Sequence, residues 1–274
     1  MHGIPGELEL IASLSASVAK IATRDAADRV VVMSQESLLV ISAHVGDFVW
    51  RAGGAIALYT SRGHPATVVC LAYGERGESA RYWRQGMDLR QVKEKRHEEA
   101  VAAAKVLGAD LQAFDSDDYP LMESPGLLER LVKVYREVRP SIVLTHTERD
   151  PWNRDHETAH SMATHARIIA QAAGHDPGTE VIGAPPVFLF EPHQTEYSGF
   201  RPDILLDITE VWDRKLDAMR CMEGQEHLWD YYTDVAARRG TQAKRNSGPN
   251  LGLVTDTKAE AYMRMYPQVA RELS

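Results

Sequence analysis

From residue 37 onward the chain alternates short, continuous apolar runs with longer segments of helical periodicity. This alternation restricts the fold more than any other feature. Residues 37–43, 67–72, 111–114, 141–145, 187–190 and 204–208 read as strands. Between them, residues 92–107 form an amphipathic helix stopped by Gly108, residues 125–138 another, and residues 155–173 a third that opens at Asp155 and His156. A helix is also expected to follow Gly53 and Gly54 and to end near Arg62 and Gly63, with one more after Val211. Strands that are apolar on both faces and separated by helices belong in a mostly parallel sheet covered on both sides. The expected class is α/β, a Rossmann-like sheet with helices on both faces, in an α/β domain of residues 36–274. Ahead of it, Leu8, Ile11, Leu14, Val18 and Ile21 recur at three- and four-residue spacing, so residues 1–35 read as an N-terminal helical extension.

In such a sheet, ligands sit beyond the carboxyl ends of the strands, near the point where strand order reverses. The loops there are residues 44–47, 74–78, 146–156 and 191–193, and they are rich in His, Asp and Glu. His44 and Asp47 lie three residues apart on a tight turn, and both can face one point. His156 opens the helix after the fourth strand, with Asp155 before it and His160 one turn later. Two imidazoles and one carboxylate with open positions suit a catalytic divalent metal, zinc first, although iron, manganese and cobalt tolerate the same set. The competing reading makes His44 a turn residue, Asp47 and Asp155 helix caps, and the later histidines part of a solvated face. His160 is open as a ligand or as a residue that orients one, and His165 reads as a surface residue.

Composition narrows the function classes. A chain of 274 residues with 44% hydrophobic content can bury a substantial core. Its formal net charge of -8 argues against a nucleic-acid binder held by phosphate neutralisation. No apolar run reaches membrane-spanning length, and Glu7 and Glu9 precede the apolar stretch where a secretory signal carries positive charge. A cytoplasmic protein without membrane or nucleic-acid partners is therefore expected. The two cysteines, Cys70 and Cys221, are far apart in apolar settings, which rules out a disulfide framework and points to two buried thiols. Self-association into a homo-oligomer is expected from the amphipathic extension and from the aromatic C-terminal region around Tyr231 and Tyr232.

The turn of His44 and Asp47 with the glycine pair after it resembles the first motif of the PIG-L/LmbE-like family of zinc-dependent N-deacetylases. So do the Gly74–Glu75 loop, Arg96 to Glu99 with Leu107 and Gly108, and the Asp155–His156 pair; together they span roughly residues 36–210. The family's first motif reads Ala-His-Pro-Asp-Asp, and the resemblance implies His44, Asp47 and His156 as metal ligands. The family's catalytic Asp, however, falls on Gly46, its Pro on Val45, and a later His on Asn153. Residues 47–57, 74–79, 183–187, 190–194 and 221–229 resemble instead a hydratase branch of the same superfamily. That likeness implies addition of water across the conjugated C=C bond of 4-oxalomesaconate, a small unsaturated oxo-tricarboxylate, in gallate and protocatechuate catabolism.

Hydration of such an alkene needs an electrophile on the oxo or carboxylate group, a base for the water and an acid for the neighbouring carbon. Glu78 and His193, on loops at the site edge, are the expected acid/base pair, with Glu75 and Asp155 as substitutes. The alternatives are a solvated loop for the glutamates and a hydrogen-bonded structural histidine for His193. A small anionic substrate also calls for arginine forks; Arg51 and Arg76 are best placed, with Arg81, Arg84, Arg149 and Arg154 as further choices. Arg96 and Glu99, one helical turn apart, read as a pair supporting the site floor. The other functions in view are a zinc-dependent N-deacetylase of a small acetylated amine or amino sugar, and a binding protein that kept a metal pocket without catalysis.

Overall fold

In the computed structural model of the chain the described residues are 36–247 and 252–269. The expected N-terminal extension lies outside them. The strands are β1 (Leu38–Ser42), β2 (Ala66–Ala72), β3 (Asp110–Ser116), β4 (Ile142–Thr145), β5 (Val187–Phe190), β6 (Ile204–Asp207) and β7 (Ala259–Arg264). The helices are α1 (Asp47–Ser61), α2 (Ala80–Arg84), α3 (Leu89–Leu107), α4 (Pro125–Val138), α5 (Arg154–Ala170), α6 (Thr195–Ser198), α7 (Trp212–Arg220) and α8 (Leu228–Asn246). Short 3-10 turns span Thr209–Val211 and Glu223–Gln225.

One sheet takes all seven strands in the order β3-β2-β1-β4-β5-β7-β6. From β3 to β5 every pairing is parallel, and β7 runs antiparallel to both β5 and β6. The α/β class holds. Strand order reverses at β1, which pairs with β2 on one side and β4 on the other. The crevice between the β1 and β4 carboxyl ends is therefore the expected ligand position.

β1 shows why the strands read as unbroken apolar runs. Its five residues are all buried, and alternate side chains enter opposite layers. Leu38 and Val40 join Phe48 and Ile56 of α1, Ala103 and Leu107 of α3 and Met219 of α7. Leu39 and Ile41 join Leu131 and Tyr135 of α4 and Met162 and Ala166 of α5. Helix ends follow local chemistry. Asp88 and Gln91 form a reciprocal cap on α3, and Gly108 ends that helix in the left-handed conformation. Ser124 caps α4, with Pro125 in its first turn.

Three expectations need correction. First, α1 starts at Asp47 and contains Gly53 and Gly54, so the pair does not precede the helix. A Cβ on Gly54 would lie 2.6 Å from Ile208 Cδ1 and 2.9 Å from Glu260 Cδ, so this glycine admits close neighbours. Glu260 accepts from the Gly54 and Ala55 amides (2.7 and 2.8 Å), while Lys215 Nζ and the Tyr262 hydroxyl donate to the Trp50 and Arg51 carbonyls (3.0 and 3.2 Å). Side chains thus partner the four backbone groups that lie opposite one another across this helical turn. Second, β7 interposes between β5 and β6; the sequence reading passed over it because Glu260 and Arg264 interrupt the apolar pattern. Third, Cys221 is only half-buried, whereas Cys70 is enclosed and burial pushes its thiol up to about 12. Among the described residues, no helix is long and apolar enough to cross a membrane.

Candidate metal centre

His44 follows β1 in a tight turn in which its own backbone amide donates to Asp47 Oδ2 at 2.9 Å. Asp47 is the first residue of α1, where a carboxylate is favoured by the unpaired amides of the helix start. His156 occupies the first turn of α5. One ligand atom from each of His44, Asp47, Glu78 and His156 lies within 4.8 Å of the others. His44 Nδ1 is 3.0 Å from Glu78 Oε1 and 3.6 Å from Asp47 Oδ2, and His156 Nε2 is 3.4 Å from Asp47 Oδ1. A tetrahedral ion with bonds of about 2.1 Å holds its ligand atoms about 3.4 Å apart.

The second nitrogen of each imidazole is tied to a carboxylate. His44 Nε2 meets Asp155 Oδ2 at 3.1 Å, and His156 Nδ1 meets Asp150 Oδ2 at 2.9 Å. Asp155 also accepts from the Tyr119 and Leu121 amides, so it is fixed as an acceptor and sets the His44 tautomer. What remains, His44 Nδ1 and His156 Nε2, are buried atoms without a hydrogen-bond partner. Two lone pairs aimed into a cluster with two carboxylates fit a divalent cation.

Electrostatics agree. Burial opposes charge on His44, but the Glu78, Asp155 and Asp47 carboxylates overcome it and hold its pKa well above the imidazole range. Asp47 is likewise held well below the carboxylate range: burial works against this, and His156 and His146 outweigh it. Glu78 shifts down for the same reason, with His44 as the dominant favourable neighbour.

Other candidates are placed less as expected. Asp155 orients His44 and accepts from two backbone amides, so both of its oxygens are already engaged; Asn153, not Asp155, caps α5. Glu75 is buried beneath its loop, bonded to the Tyr73 amide and Arg76 (both 3.3 Å), and stays outside the cleft. Arg76 is occupied by Glu75, Asp117 and Asp118. Arg51 is buried, donating to Asp47 Oδ1 at 3.3 Å and to the Glu191 carbonyl at 2.6 Å, which steadies the Asp47 carboxylate. Arg81 pairs with Glu226 and, with Arg84, borders the cleft. Arg149 and Arg154 line a separate depression. His160 bonds the His146 carbonyl at 2.8 Å and His165 is exposed.

The cleft itself encloses about 600 Å³, and Glu78, His156, His193, Tyr119 and Gln225 are among the residues lining it. His193 Nε2 stands 3.5 Å from the Tyr232 hydroxyl, and burial, with the fields of Arg51 and His156, pushes its pKa down to about 4. Sequence reasoning missed four contributors. His146 stacks on His156 at 4.1 Å and accepts the Ala43 amide at 3.0 Å; its place just after β4 mirrors that of His44 after β1, a signal available in the sequence. Asp150 announced itself only by being six residues before His156. Tyr119 packs on His44 and over Gly77, where a Cβ would meet its ring at 2.0 Å. Gln225 arrives from a 3-10 turn far along the chain, and its one signal was its place inside the 221–229 stretch. Arg96 and Glu99 do pair beneath the site, at 2.5 Å.

Residues 39–167 match the family model described as PIG-L, GlcNAc-PI de-N-acetylase. A 4-oxalmesaconate hydratase of Pseudomonas putida is 53% identical over 245 residues, covering 88% of this chain and 93% of the relative. The crystal structure of a 4-carboxy-2-hydroxymuconate hydratase from Pseudomonas putida superposes with a TM-score of 0.84 at 53% identity, over 87% of this chain and all of the other. A diacetylchitobiose deacetylase of Thermococcus kodakarensis is 26% identical, covering 72% of this chain and 73% of its own. On the strength of these matches and of a cluster built at the switch point of its sheet, the chain belongs to the PIG-L family.

Proposed function

We propose that the protein is a metal-dependent hydratase that adds water to the conjugated C=C bond of 4-oxalomesaconate, whose enol form is 4-carboxy-2-hydroxymuconate. The observation that carries this reading is position 46. The deacetylase motif puts its base there; this chain has glycine, and the space of a side chain is filled by the Gln225 amide, whose Oε1 lies 2.5 Å from where a Cβ would be. The half of the site that amide hydrolysis needs is missing, while the cation-binding half is intact. The 53% identical relative carries the matching name.

In this reading His44, Asp47 and His156 hold the metal, with zinc the first choice among the divalent ions that accept nitrogen and oxygen donors. When bound, it supplies Lewis acidity toward the oxygens of the oxo acid. Glu78, which lines the cleft beside the three ligands, takes the proton of the attacking water. His193 handles the proton destined for carbon. Its ring lines the cleft, with Nε2 3.5 Å from the Tyr232 hydroxyl. Arg84, at the cleft border, receives a substrate carboxylate. The reaction belongs to a reducing, cytoplasmic setting, in keeping with two unbridged cysteines. Self-association completes the reading.

The test is to mix metal-loaded protein with the conjugated tricarboxylate and follow its absorbance and product mass. Hydration bleaches the chromophore and adds one water. An unchanged spectrum, with acetate released from N-acetylated amino sugars by the same preparation, would replace this reading with deacetylation.

A further inference from the structure

Gly46 has φ -81° and ψ -31°, an ordinary right-handed conformation open to any residue. Backbone geometry therefore does not call for glycine. Space does: a Cβ there would stand 2.5 Å from Gln225 Oε1, 2.7 Å from Trp50 Nε1 and 3.3 Å from Arg96 Nη2. The three side chains converge on the point that a residue at 46 would claim.

The Gln225 amide is held in one orientation. Its Oε1 accepts from Arg96 Nη2 at 2.6 Å and from Trp50 Nε1 at 3.5 Å. Both partners are donors only, so the oxygen must face them and the NH2 group must face away. That group points at Glu78, donating to Oε2 at 3.3 Å, while Glu78 Oε1 faces His44. Behind Gln225, Arg96 is pinned by Glu99 and by the Tyr73 carbonyl (3.2 Å), and Glu99 accepts from the Gly224 amide at 2.7 Å and from Tyr82. Gln225 is 5% exposed, so water does not compete strongly for these bonds.

We propose that Gln225 is a positioning residue that commits this site to hydration: it occupies the space vacated by the missing side chain at position 46 and, braced by Arg96, aims Glu78 at the reacting water. The proposal rests on the hydratase reading. It makes Gly46 and Gln225 two halves of one adaptation, since a side chain at 46 and the Gln225 amide claim the same space.

Gln225→Met keeps the volume and removes the donor to Glu78. We expect kcat for hydration to fall by about 10- to 100-fold, with KM and zinc affinity, read by chelator competition, unchanged within about threefold. Gln225→Ala gives the same split should the methionine variant not fold. A second arm tests the shared space. Gly46→Ala should lower Tm by about 5 °C in the wild type and by about half of that or less in the Gln225→Ala background, where the Trp50 contact remains. The proposal is overturned if kcat stays within about twofold of wild type, if zinc affinity collapses along with kcat, or if the Gly46→Ala cost is the same in both backgrounds. Inactive wild-type protein would instead indict the hydratase reading itself.

Discussion

Replacing Glu260 by alanine should destabilise the fold far more than loss of an ordinary polar side chain. Its carboxylate is enclosed at 4% side-chain exposure and takes four donors: Lys215 Nζ at 2.6 Å, the Tyr262 hydroxyl at 2.6 Å and the Gly54 and Ala55 amides at 2.7 and 2.8 Å. Without it, the Lys215 ammonium stays buried with the Trp50 carbonyl at 3.0 Å as its remaining acceptor. Breaking a buried pair from one side costs about 3–5 kcal/mol. The two amides can recover bonds to the Trp50 and Arg51 carbonyls in the same helix, so they add little. At about 2–4 °C per kcal/mol for a domain of this size, the loss corresponds to a Tm lower by about 12 °C. Urea and thermal melts of Glu260→Ala, Lys215→Met and the double variant supply the assay. The double variant should lose clearly less than the sum of the singles, because it strands no charge. A Glu260→Ala loss below about 1 kcal/mol, or strict additivity, would refute the argument that this pair holds the first turns of α1 in place.

Asp155→Asn should weaken metal binding by about 10- to 100-fold, as the His44 tautomer loses its anchor, and lower Tm by a few degrees, as one backbone amide loses its acceptor; chelator competition and a thermal melt measure the two. Asp150→Asn should weaken binding likewise through His156. Arg76→Ala should leave KM within about twofold, because that guanidinium is spent on Asp117, Asp118 and Glu75 rather than on substrate; a KM rise above about tenfold would show that the loop turns toward the cleft. In the native protein a thiol reagent should label Cys221 and spare Cys70, whose thiol is enclosed and pushed up to about 12.

The sheet and the candidate cluster of His, Asp and Glu were legible for the same reason. A parallel strand buried on both faces cannot hide among polar residues, and the loops at its carboxyl end are short. His44, Asp47 and His156 thus stand a few residues from unmistakable apolar runs. Roles set by hydrogen bonds between distant segments were not legible. Asp155 looks like a base beside His156, yet two backbone amides from the loop after β3 and the His44 ring engage both of its oxygens. Arg76 looks free to meet an anion until Asp118, 42 residues later, folds over it. The Gly53–Gly54 pair looks like a helix boundary because the Glu260 carboxylate that partners it is 206 residues away. Gln225, in a short 3-10 turn, lies inside the 221–229 stretch of the resemblance, but an amide there carries no periodicity and no chemistry that points to its partners.

The central claim is that His44, Asp47 and His156 hold a divalent cation on which hydration depends. Stripped protein titrated with zinc, with bound metal and hydration rate followed in one sample, tests it most directly. The rate should start near zero, rise in proportion to bound zinc and level off at a single ion per chain, and His44→Ala should abolish the rise. Stripped protein that hydrates the tricarboxylate as fast as the zinc-loaded form would contradict it.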